Sequence, residues 1–318
     1  MANLEVGATP ATRPVGVTRR RRQRALGSRY TPYLLLAPAA VFLLIFQAVP
    51  VLQEIRLSFT KTDLLSPNHN QWIGLSNFRA IFGDPAFRHT LETTAIYLVV
   101  CVVGPVGVGL LTALLLNGRF AGRGIARALI TIPWAAPGVA VALILTWMLD
   151  SQYGIVNRML SGIGLGARNG NIINSTHLAF PAVLIITVWQ LFPFCTVVLV
   201  SALQAVSRDV TEAAVMDGAG PGWRFRAATW PVIRPTVSLL MVLTAIWSLR
   251  LFELIWILTQ GGPEGSTTTL VINLYTEAFT DQRLGRAAAI GVVGIVVSLV
   301  LASASVFIGR HAEEDASR

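Results

Sequence analysis

The sequence predicts an all-α integral membrane protein with six membrane-spanning helices. Of its 318 residues, 53% are hydrophobic and only 13% are charged, whereas soluble domains carry roughly 25% charged residues. Such a chain has too little polar surface to cover a soluble globule. Its apolar residues form six runs, each long enough to cross roughly 30 Å of hydrocarbon as a helix. Its arginines lie mainly at the ends of these runs.

The six runs assign most of the chain to one membrane domain. We predict a basic, disordered N-terminus over residues 1–30, the membrane domain over 31–310 and a polar tail over 311–318. The first run exceeds the roughly 7–15 apolar residues of a signal-peptide core, so we expect an uncleaved span. Polar loops join the six predicted spans, which are residues 33–52, 91–116, 125–149, 178–203, 236–258 and 285–308.

Arginine and lysine are distributed unequally between the two ends of the predicted spans. Sixteen of the 25 lie in residues 1–30, 117–127, 204–235 and the tail after 309, which share one side. Because cytoplasmic loops carry the excess of these residues, we predict that both termini and the 204–235 loop are cytoplasmic. The basic residues do not form a single face, which argues against nucleic-acid binding.

The sequence lacks the residue patterns of several common chemical sites. Cys101 and Cys195 fall inside apolar runs, where we expect small buried hydrophobes rather than a disulfide or a metal site. A phosphate-binding loop needs a lysine after glycine, but the only lysine, Lys61, follows Thr60. We therefore expect no ATP site on this chain. The glycines at 162, 164 and 166 follow no predicted strand, so a flexible turn is expected instead of a dinucleotide site.

The polar stretch between the fourth and fifth apolar runs predicts a helix, a glycine break and a second helix. It is SRDVTEAAVMDGAGPGWRFRAATWPVIRP, residues 207–235. Asp209 suits a cap on the first helix. Gly218 and Gly220 suit the left-handed backbone that ends such a helix, and Pro221 suits the first turn of the next. We expect Pro231 to end the second helix.

This stretch carries a spaced motif, Glu212-Ala213-Ala214, then three residues, then Gly218, with Pro231 thirteen positions later. It resembles the EAA loop of ABC importer permeases, a cytoplasmic coupling helix that docks into a cleft on a separate ATPase subunit. The alternative is an ordinary amphipathic connector between two spans, but the register of the proline and the membrane context favour docking. The resemblance assigns ATPase coupling to Glu212, Ala213, Ala214, Asp217, Gly218 and Pro231.

The resemblance covers most of residues 33–309 and points to carbohydrate-type permeases. The similar segments are residues 72–78 (WIGLSNF), 204–206 (QAV), 258–263 (LTQGGP) and 267–279 (TTTLVINLYTEAF). The chain is similar to the first of the two non-identical permeases of maltose and glycerol-phosphate importers. It departs from that pattern at residues 228–231 (ATWP), where the family usually has Ile-x-Leu-Pro, so the fit of the second helix to its partner is less well specified.

The resemblance implies a type I ABC importer permease fold in a bacterial cell membrane, surrounded by lipid. It also implies a second permease that completes a heterodimer, an ABC ATPase dimer that binds ATP and magnesium, and an extracytoplasmic solute-binding protein or lipoprotein. The permease itself would be non-catalytic and would work by alternating access. The implied substrate is a di- or oligosaccharide such as trehalose or maltose; glycerol 3-phosphate or another polyol remains open.

Two stripes of residues in the fourth and fifth predicted spans are candidates for sugar binding. Polar groups inside a bilayer are costly and usually face a cavity or a partner, and aromatic faces suit sugar rings. By resemblance, the stripes match positions where maltose-type permeases contact sugar, although ordinary span-to-span packing would also use such residues. The stripes are Thr187, Gln190, Leu191 and Phe194, and Thr244, Trp247, Ser248 and Leu251.

Arg250 and Glu253 stand three positions apart in the fifth predicted span and are expected to face one another. Each charge alone would cost about 2.5–3.5 kcal/mol at the centre of a membrane helix. We therefore predict an ion pair, made between these two residues or shared with the partner permease. Contact with substrate is the alternative.

Two rival functions are compatible with a six-span bundle. An ion-coupled secondary transporter would favour discontinuous spans and buried carboxylates, but Glu253 is the only convincing acid within a predicted span. An intramembrane enzyme would need a nucleophile and a base, or a metal site, facing one cavity, and the sequence offers no such set.

Overall fold

The computed structural model of the protein describes residues 31–118, 120–162 and 172–316. The predicted disordered segment 1–30 lies outside these residues, as do the second and third glycines of the predicted turn at 162–166. By their internal contacts, the described residues divide into one unit that ends at Pro50 and a second that starts at Val51.

The described residues are largely helical. The α-helices are α1 Thr31–Leu43, α2 Val49–Ser58, α3 Ser76–Gly83, α4 Pro85–Asn117, α5 Arg123–Ala135, α6 Gly138–Met148, α7 Ile155–Gly162, α8 Ala179–Leu203, α9 Arg208–Met216, α10 Pro221–Arg224, α11 Trp230–Arg250, α12 Glu253–Thr259, α13 Leu270–Tyr275 and α14 Leu284–Ala316. Three π-helical turns are π1 Leu44–Ala48, π2 Phe225–Thr229 and π3 Thr276–Thr280. One antiparallel hairpin pairs β1 Thr60–Asp63 with β2 Ser66–Trp72.

The first unit is an apolar helix with almost no buried surface. Between Tyr33 and Pro50 every side chain is exposed except that of Ala48, which is half-buried. The rings of Phe42 and Phe46 contact one another with centroids 4.8 Å apart. An exposed apolar helix of this length is typical of a segment surrounded by lipid.

Five helical segments in the described part of the chain are long and apolar enough to cross a membrane. They are Tyr33–Ser58, Pro85–Asn117, Ala179–Leu203, Pro221–Arg250 and Leu284–Leu301. A sixth crossing would require α5 and α6 to act as one span, although they are bent by 94°. α14 also continues as a helix to Ala316, so the predicted tail over 311–318 begins inside it.

The predicted third span, 125–149, is therefore not one straight helix. The bend falls at Ala136 and Pro137, where Ala136 has extended backbone (φ −76°, ψ 140°). A proline lacks the N–H that would continue the helix and forces the preceding residue out of the helical region. The break is thus a direct consequence of Pro137.

The predicted limits of the fifth span, 236–258, were wrong, and so was the prediction that Pro231 ends a helix. One helical segment runs from Pro221 to Arg250, and Pro231 lies inside it. The π-helical turn π2 precedes this proline, and such a widened turn relieves the clash between a proline ring and the preceding turn. The helix instead ends at Arg250, and α12 starts after two non-helical residues.

The core of the second unit forms where α4 packs against α8. Gly109 allows this close approach, because a Cβ at that position would lie 2.6 Å from the Cβ of Cys195. Cys101 and Cys195 are both fully buried, as the sequence predicts. The largest cluster of this core consists of Val106, Ala113, Leu116, Cys195, Leu199, Val200, Leu203, Ile233, Val237 and Leu240.

The segment between the first two spans is structured rather than a plain loop. The Asn77 side-chain amide donates hydrogen bonds of 2.9 Å to the carbonyl oxygens of Ser58 and Thr60 and so ties α3 to the hairpin. α14 packs against the same hairpin, since a Cβ on Gly285 would overlap the Thr60 carbonyl oxygen. These contacts fix the start of α14.

Ion pairs join three elements at this same end of the helix bundle. The Asp84 carboxylate accepts a 2.9 Å hydrogen bond from the N–H of Ala86 at the start of α4 and lies 2.6 Å from the Arg286 guanidinium. Glu277 on π3 lies 2.8 Å from Arg286 and 3.0 Å from Arg283. The N–H of Ala86 and the cation of Arg286 lower the pKa of Asp84, whereas burial raises the pKa of Glu277. We call these residues, with Asp281, the paired end.

Candidate coupling and substrate sites

The stretch from Arg208 to Arg224, here called the coupling segment, contains two helices separated by a glycine turn. α9 ends in a Schellman motif: the N–H of Ala219 bonds to the carbonyl of Ala214 at 2.9 Å, and that of Gly218 to the carbonyl of Val215 at 3.0 Å. Gly218 has φ +77°, so the predicted left-handed residue is confirmed there. Local turn chemistry, rather than packing, sets this geometry.

Two details of the predicted turn were wrong and one was right. Gly220 has φ −66° and extended backbone, because a single left-handed residue is enough to end α9. α9 starts at Arg208 after an extended Ser207, so Asp209 lies in the first turn and is not the cap. There its charge favours the helix through the positive end of the macrodipole. Pro221 occupies the first turn of α10, as predicted.

The tip of the coupling segment has little contact with the rest of the chain. Glu212, Ala213, Asp217 and Gly218 are exposed, and of the predicted coupling residues on α9 Ala214 alone is buried. Apolar side chains are exposed beside them, among them Val210 (54%), Val215 (50%), Met216 (86%) and Trp223 (64%). An exposed apolar group framed by polar residues is typical of a surface that binds another protein.

The residues that follow the coupling segment, in contrast, are anchored in the core. Phe225 and Trp230 pack together with ring centroids 6.1 Å apart, and both contact the cluster that contains Leu203 and Ile233. The chain just after the coupling segment is thus packed against the end of α8 and the start of α11.

Three of the predicted sugar-binding residues lie in the packed interior. Thr187 contacts the Tyr97 hydroxyl at 3.3 Å. Thr244 donates to the carbonyl of Leu240 at 2.8 Å, and Ser248 donates to the carbonyl of Cys101 at 3.5 Å. Thr187, Thr244 and Ser248 are each at most 3% exposed, so their hydroxyls are not open to a ligand in this conformation.

The aromatic members of the two stripes come together. The rings of Phe194 and Trp247 make an edge contact with centroids 4.9 Å apart, and Trp134 lies 5.3 Å from Phe194. Phe194 and Trp247 are half-buried, and Trp134 is 47% exposed. Sequence reasoning missed Trp134; its position three residues before Pro137, which bends the span, was the available signal. We call these three residues the aromatic cluster.

Polar groups lie near this cluster where α5 meets α6. A Cβ at Gly138, the first residue of α6, would lie 3.0 Å from the Glu253 carboxylate and 3.7 Å from the Gln190 amide nitrogen. Gln190 stands one helical turn before Phe194. Leu191 is half-buried, and Leu251 packs against two apolar clusters of the interior. The break between α5 and α6 thus gathers aromatic, amide and carboxylate groups.

The predicted Arg250–Glu253 ion pair does not form. The helix ends at Arg250 and Glu253 starts α12, so the two residues do not share a helical face. The ion pairs found in the described part of the chain are all at the paired end. Arg250 lines a different cavity of about 460 Å³, together with Glu54 and Gly291. Within the described residues, no group of three His, Cys, Asp or Glu could hold a metal ion.

Comparison with known sequences identifies relatives over most of the chain. The sulfoquinovosyl glycerol transport system permease protein SmoG of Agrobacterium fabrum is 34% identical over 275 residues, which cover 86% of this chain and 88% of that protein. The trehalose/maltose transport system permease protein MalF of Thermococcus litoralis is 33% identical over 272 residues, covering 85% and 90%.

The fold also matches solved structures. The crystal structure of a bacterial ABC transporter that imports the acidic polysaccharide alginate superposes with a TM-score of 0.74, at 24% identity, over 89% of this chain and 96% of the matched one. The complex of an alginate transporter with its alginate-pentasaccharide-bound periplasmic protein gives 0.75 at 23% identity. The profile of the binding-protein-dependent transport system inner membrane component family matches residues 105–314. The chain therefore belongs to this family of ABC transporter permeases.

Proposed function

We propose that this chain is one permease of a heterodimeric, ATP-driven importer of a neutral sugar. Two relatives that cover most of the chain are named for the transport of sulfoquinovosyl glycerol and of trehalose and maltose. Both names support a sugar as the substrate, and the second supports a neutral one. Trehalose and maltose are the leading candidates, and glycerol 3-phosphate or another polyol is the alternative. A solute-binding protein would deliver the sugar, as in the alginate transporter complex with its periplasmic protein.

The observation that carries the proposal is the contact of Phe194 with Trp247, joined by Trp134, beside the bent third span. Aromatic faces pack against the apolar faces of sugar rings, and a nearby amide and carboxylate supply hydrogen bonds to hydroxyls. Gln190 and Glu253 supply this amide and this carboxylate, and both lie next to Gly138. Thr187, Thr244 and Ser248 would then support the site from the packed interior.

The coupling segment supplies the proposed link to ATP hydrolysis. Its exposed acidic and small residues, Glu212 and Ala213, fit a cleft on an ABC ATPase dimer, which would bind ATP and magnesium. Closure of that dimer would move the segment and, through Phe225 and Trp230, the ends of α8 and α11. The cavity would open outward, accept sugar and reset after hydrolysis. The permease performs no covalent chemistry in this scheme.

The proposed orientation places both termini and the coupling segment in the cytoplasm of a bacterial cell. The excess of arginine in residues 1–30 and 204–235 supports it. A reporter enzyme that works only in the cytoplasm should therefore be active when it is fused to the C-terminus, and a reporter that works only outside the cytoplasm should be inactive there.

The test of substrate binding replaces Trp247 by alanine in the complete importer. Because an aromatic contact is worth about 0.5–1.5 kcal/mol, we expect the KM for a bound disaccharide to rise up to about tenfold. Trp147→Ala is the matched control, since that tryptophan is 84% exposed on α6 and touches none of the aromatic cluster. Uptake of labelled trehalose, maltose and glycerol 3-phosphate by vesicles is the measurement.

Unchanged KM and unchanged sugar preference in Trp247→Ala would exclude the aromatic cluster as the sugar site. Uptake that persists without the co-expressed ATPase would favour the ion-coupled transporter instead.

A further inference from the structure

We infer that Glu253 acts as a charge filter that makes this permease reject anionic sugars. The inference rests on the proposed sugar site and names its substrate class more narrowly: neutral, polyhydroxylated rings, and not uronates, sulfonates or phosphate esters.

The position of Glu253 is fixed by two helix starts. It is the first residue of α12, and its carboxylate lies against Gly138, the first residue of α6. A side chain at Gly138 would press on the carboxylate, since even a Cβ would lie 3.0 Å from it. The glycine therefore leaves open the space between this carboxylate and the side-chain amide of Gln190.

The charge of Glu253 has no partner within the part of the chain that the structure describes. It makes no ion pair or hydrogen bond there, and it is exposed. Arg250, the nearest cation in sequence, lines the cavity shared with Glu54 and Gly291 instead. The proposed sugar site thus has a net negative charge supplied by this chain.

The start of α6 gives this charge a second consequence. The first N–H groups of a helix lack helical acceptors, and together with the macrodipole they attract anions. α6 has 11 residues and begins beside the proposed site. By lying against Gly138, the Glu253 carboxylate cancels that attraction. A carboxylate also accepts hydrogen bonds from sugar hydroxyls but repels a charged substituent, so it selects by exclusion as well as by contact.

The experiment compares binding of trehalose with binding of its uronate derivative to the assembled permease–ATPase complex without the solute-binding protein. Tryptophan fluorescence reports binding. The wild-type protein should bind trehalose more tightly than the uronate. Glu253→Gln should lower the ratio of the uronate Kd to the trehalose Kd by about tenfold. Glu264→Gln, which removes an exposed charge from the loop after α12, should leave the ratio unchanged.

A second measurement needs no variant. Raising the salt concentration from about 0.05 M to about 0.5 M shortens the screening length, so wild-type binding of the uronate should tighten while trehalose binding stays constant. A purely structural role for Glu253 would not produce this salt dependence.

The outcomes separate the filter from the proposed site. If Glu253→Gln leaves the Kd ratio unchanged while Trp247→Ala still weakens trehalose binding, the charge filter is wrong and the sugar site stands. If Trp247→Ala leaves trehalose binding intact, both the proposed sugar site and the charge filter are wrong.

Discussion

The two ends of the helix bundle differ in how their charged residues are held. At the paired end, Asp84, Glu277, Arg283 and Arg286 are linked by ion pairs that join the starts of α4 and α14 to π3. In the coupling segment at the other end, Glu212 and Asp217 are exposed and form no ion pair within the described residues.

This difference separates what stabilises the chain from what the chain offers to other proteins. The paired end is completed by its own residues, so substitutions there should act first on stability. The coupling segment keeps its shape through the Gly218 turn, and the residues that follow it, Phe225 and Trp230, pack into the core. Substitutions at its tip should therefore act on coupling while the protein remains folded.

The largest effect is expected from Gly218→Val. Gly218 has φ +77°, and a left-handed backbone costs a residue with a side chain roughly 1–2 kcal/mol. We expect α9 to end differently, so that sugar uptake falls at least about tenfold while ATP hydrolysis and membrane levels persist. Coupled uptake and hydrolysis assays in vesicles measure this. Wild-type uptake by the variant would contradict a docking role for the segment.

A single type of change, glycine to alanine, compares the two ends directly. At Gly285 the new Cβ would overlap the Thr60 carbonyl oxygen, and overpacking costs about 1–3 kcal/mol. At Gly222, inside α10, nothing lies within 4 Å of the new Cβ, and alanine favours a helix by about 0.5–1 kcal/mol. Gly285→Ala should lower the Tm of the purified protein and Gly222→Ala should not. Equal Tm values for the two variants would contradict the proposed difference between the paired end and the coupling segment.

The smallest effect concerns the pH dependence of the paired end. The pKa of Asp84 is lowered from 3.8 by its hydrogen bond from Ala86 and by Arg286. A lowered carboxyl pKa adds stability above pH 3.8, which is lost as the pH falls through the folded-state pKa. Asp84→Asn should therefore flatten the decline of Tm below pH 4, by a small amount because the site is near the surface. A decline identical to that of the wild type would argue against this pair.

Local chemistry made the coupling segment predictable. The Schellman turn at Gly218 and the first-turn position of Pro221 depend on neighbouring residues only, and the sequence contains them. The apolar runs likewise predicted where most helices lie, because length and hydrophobicity suffice for that.

Features that depend on packing were less predictable. A π-helical turn accommodates Pro231, and the break after Arg250 has no proline to mark it. Helical spacing grouped Thr187 with Phe194 on one stripe, but only the fold shows that Thr187 is buried against Tyr97 while Phe194 meets Trp134. Periodicity tells which residues are neighbours on a helix and not what lies opposite them.

The 94° bend between α5 and α6 has a consequence for hydration. Where the two helices part, carbonyl groups at the end of one and N–H groups at the start of the other lose their helical partners. Hydrocarbon cannot satisfy such groups, so irregular backbone at membrane depth must border water or protein. If the bent pair crosses the bilayer, its elbow brings solvent or a neighbouring subunit to the middle of the membrane, and a sugar arriving there would exchange one hydrogen-bonding environment for another instead of entering oil.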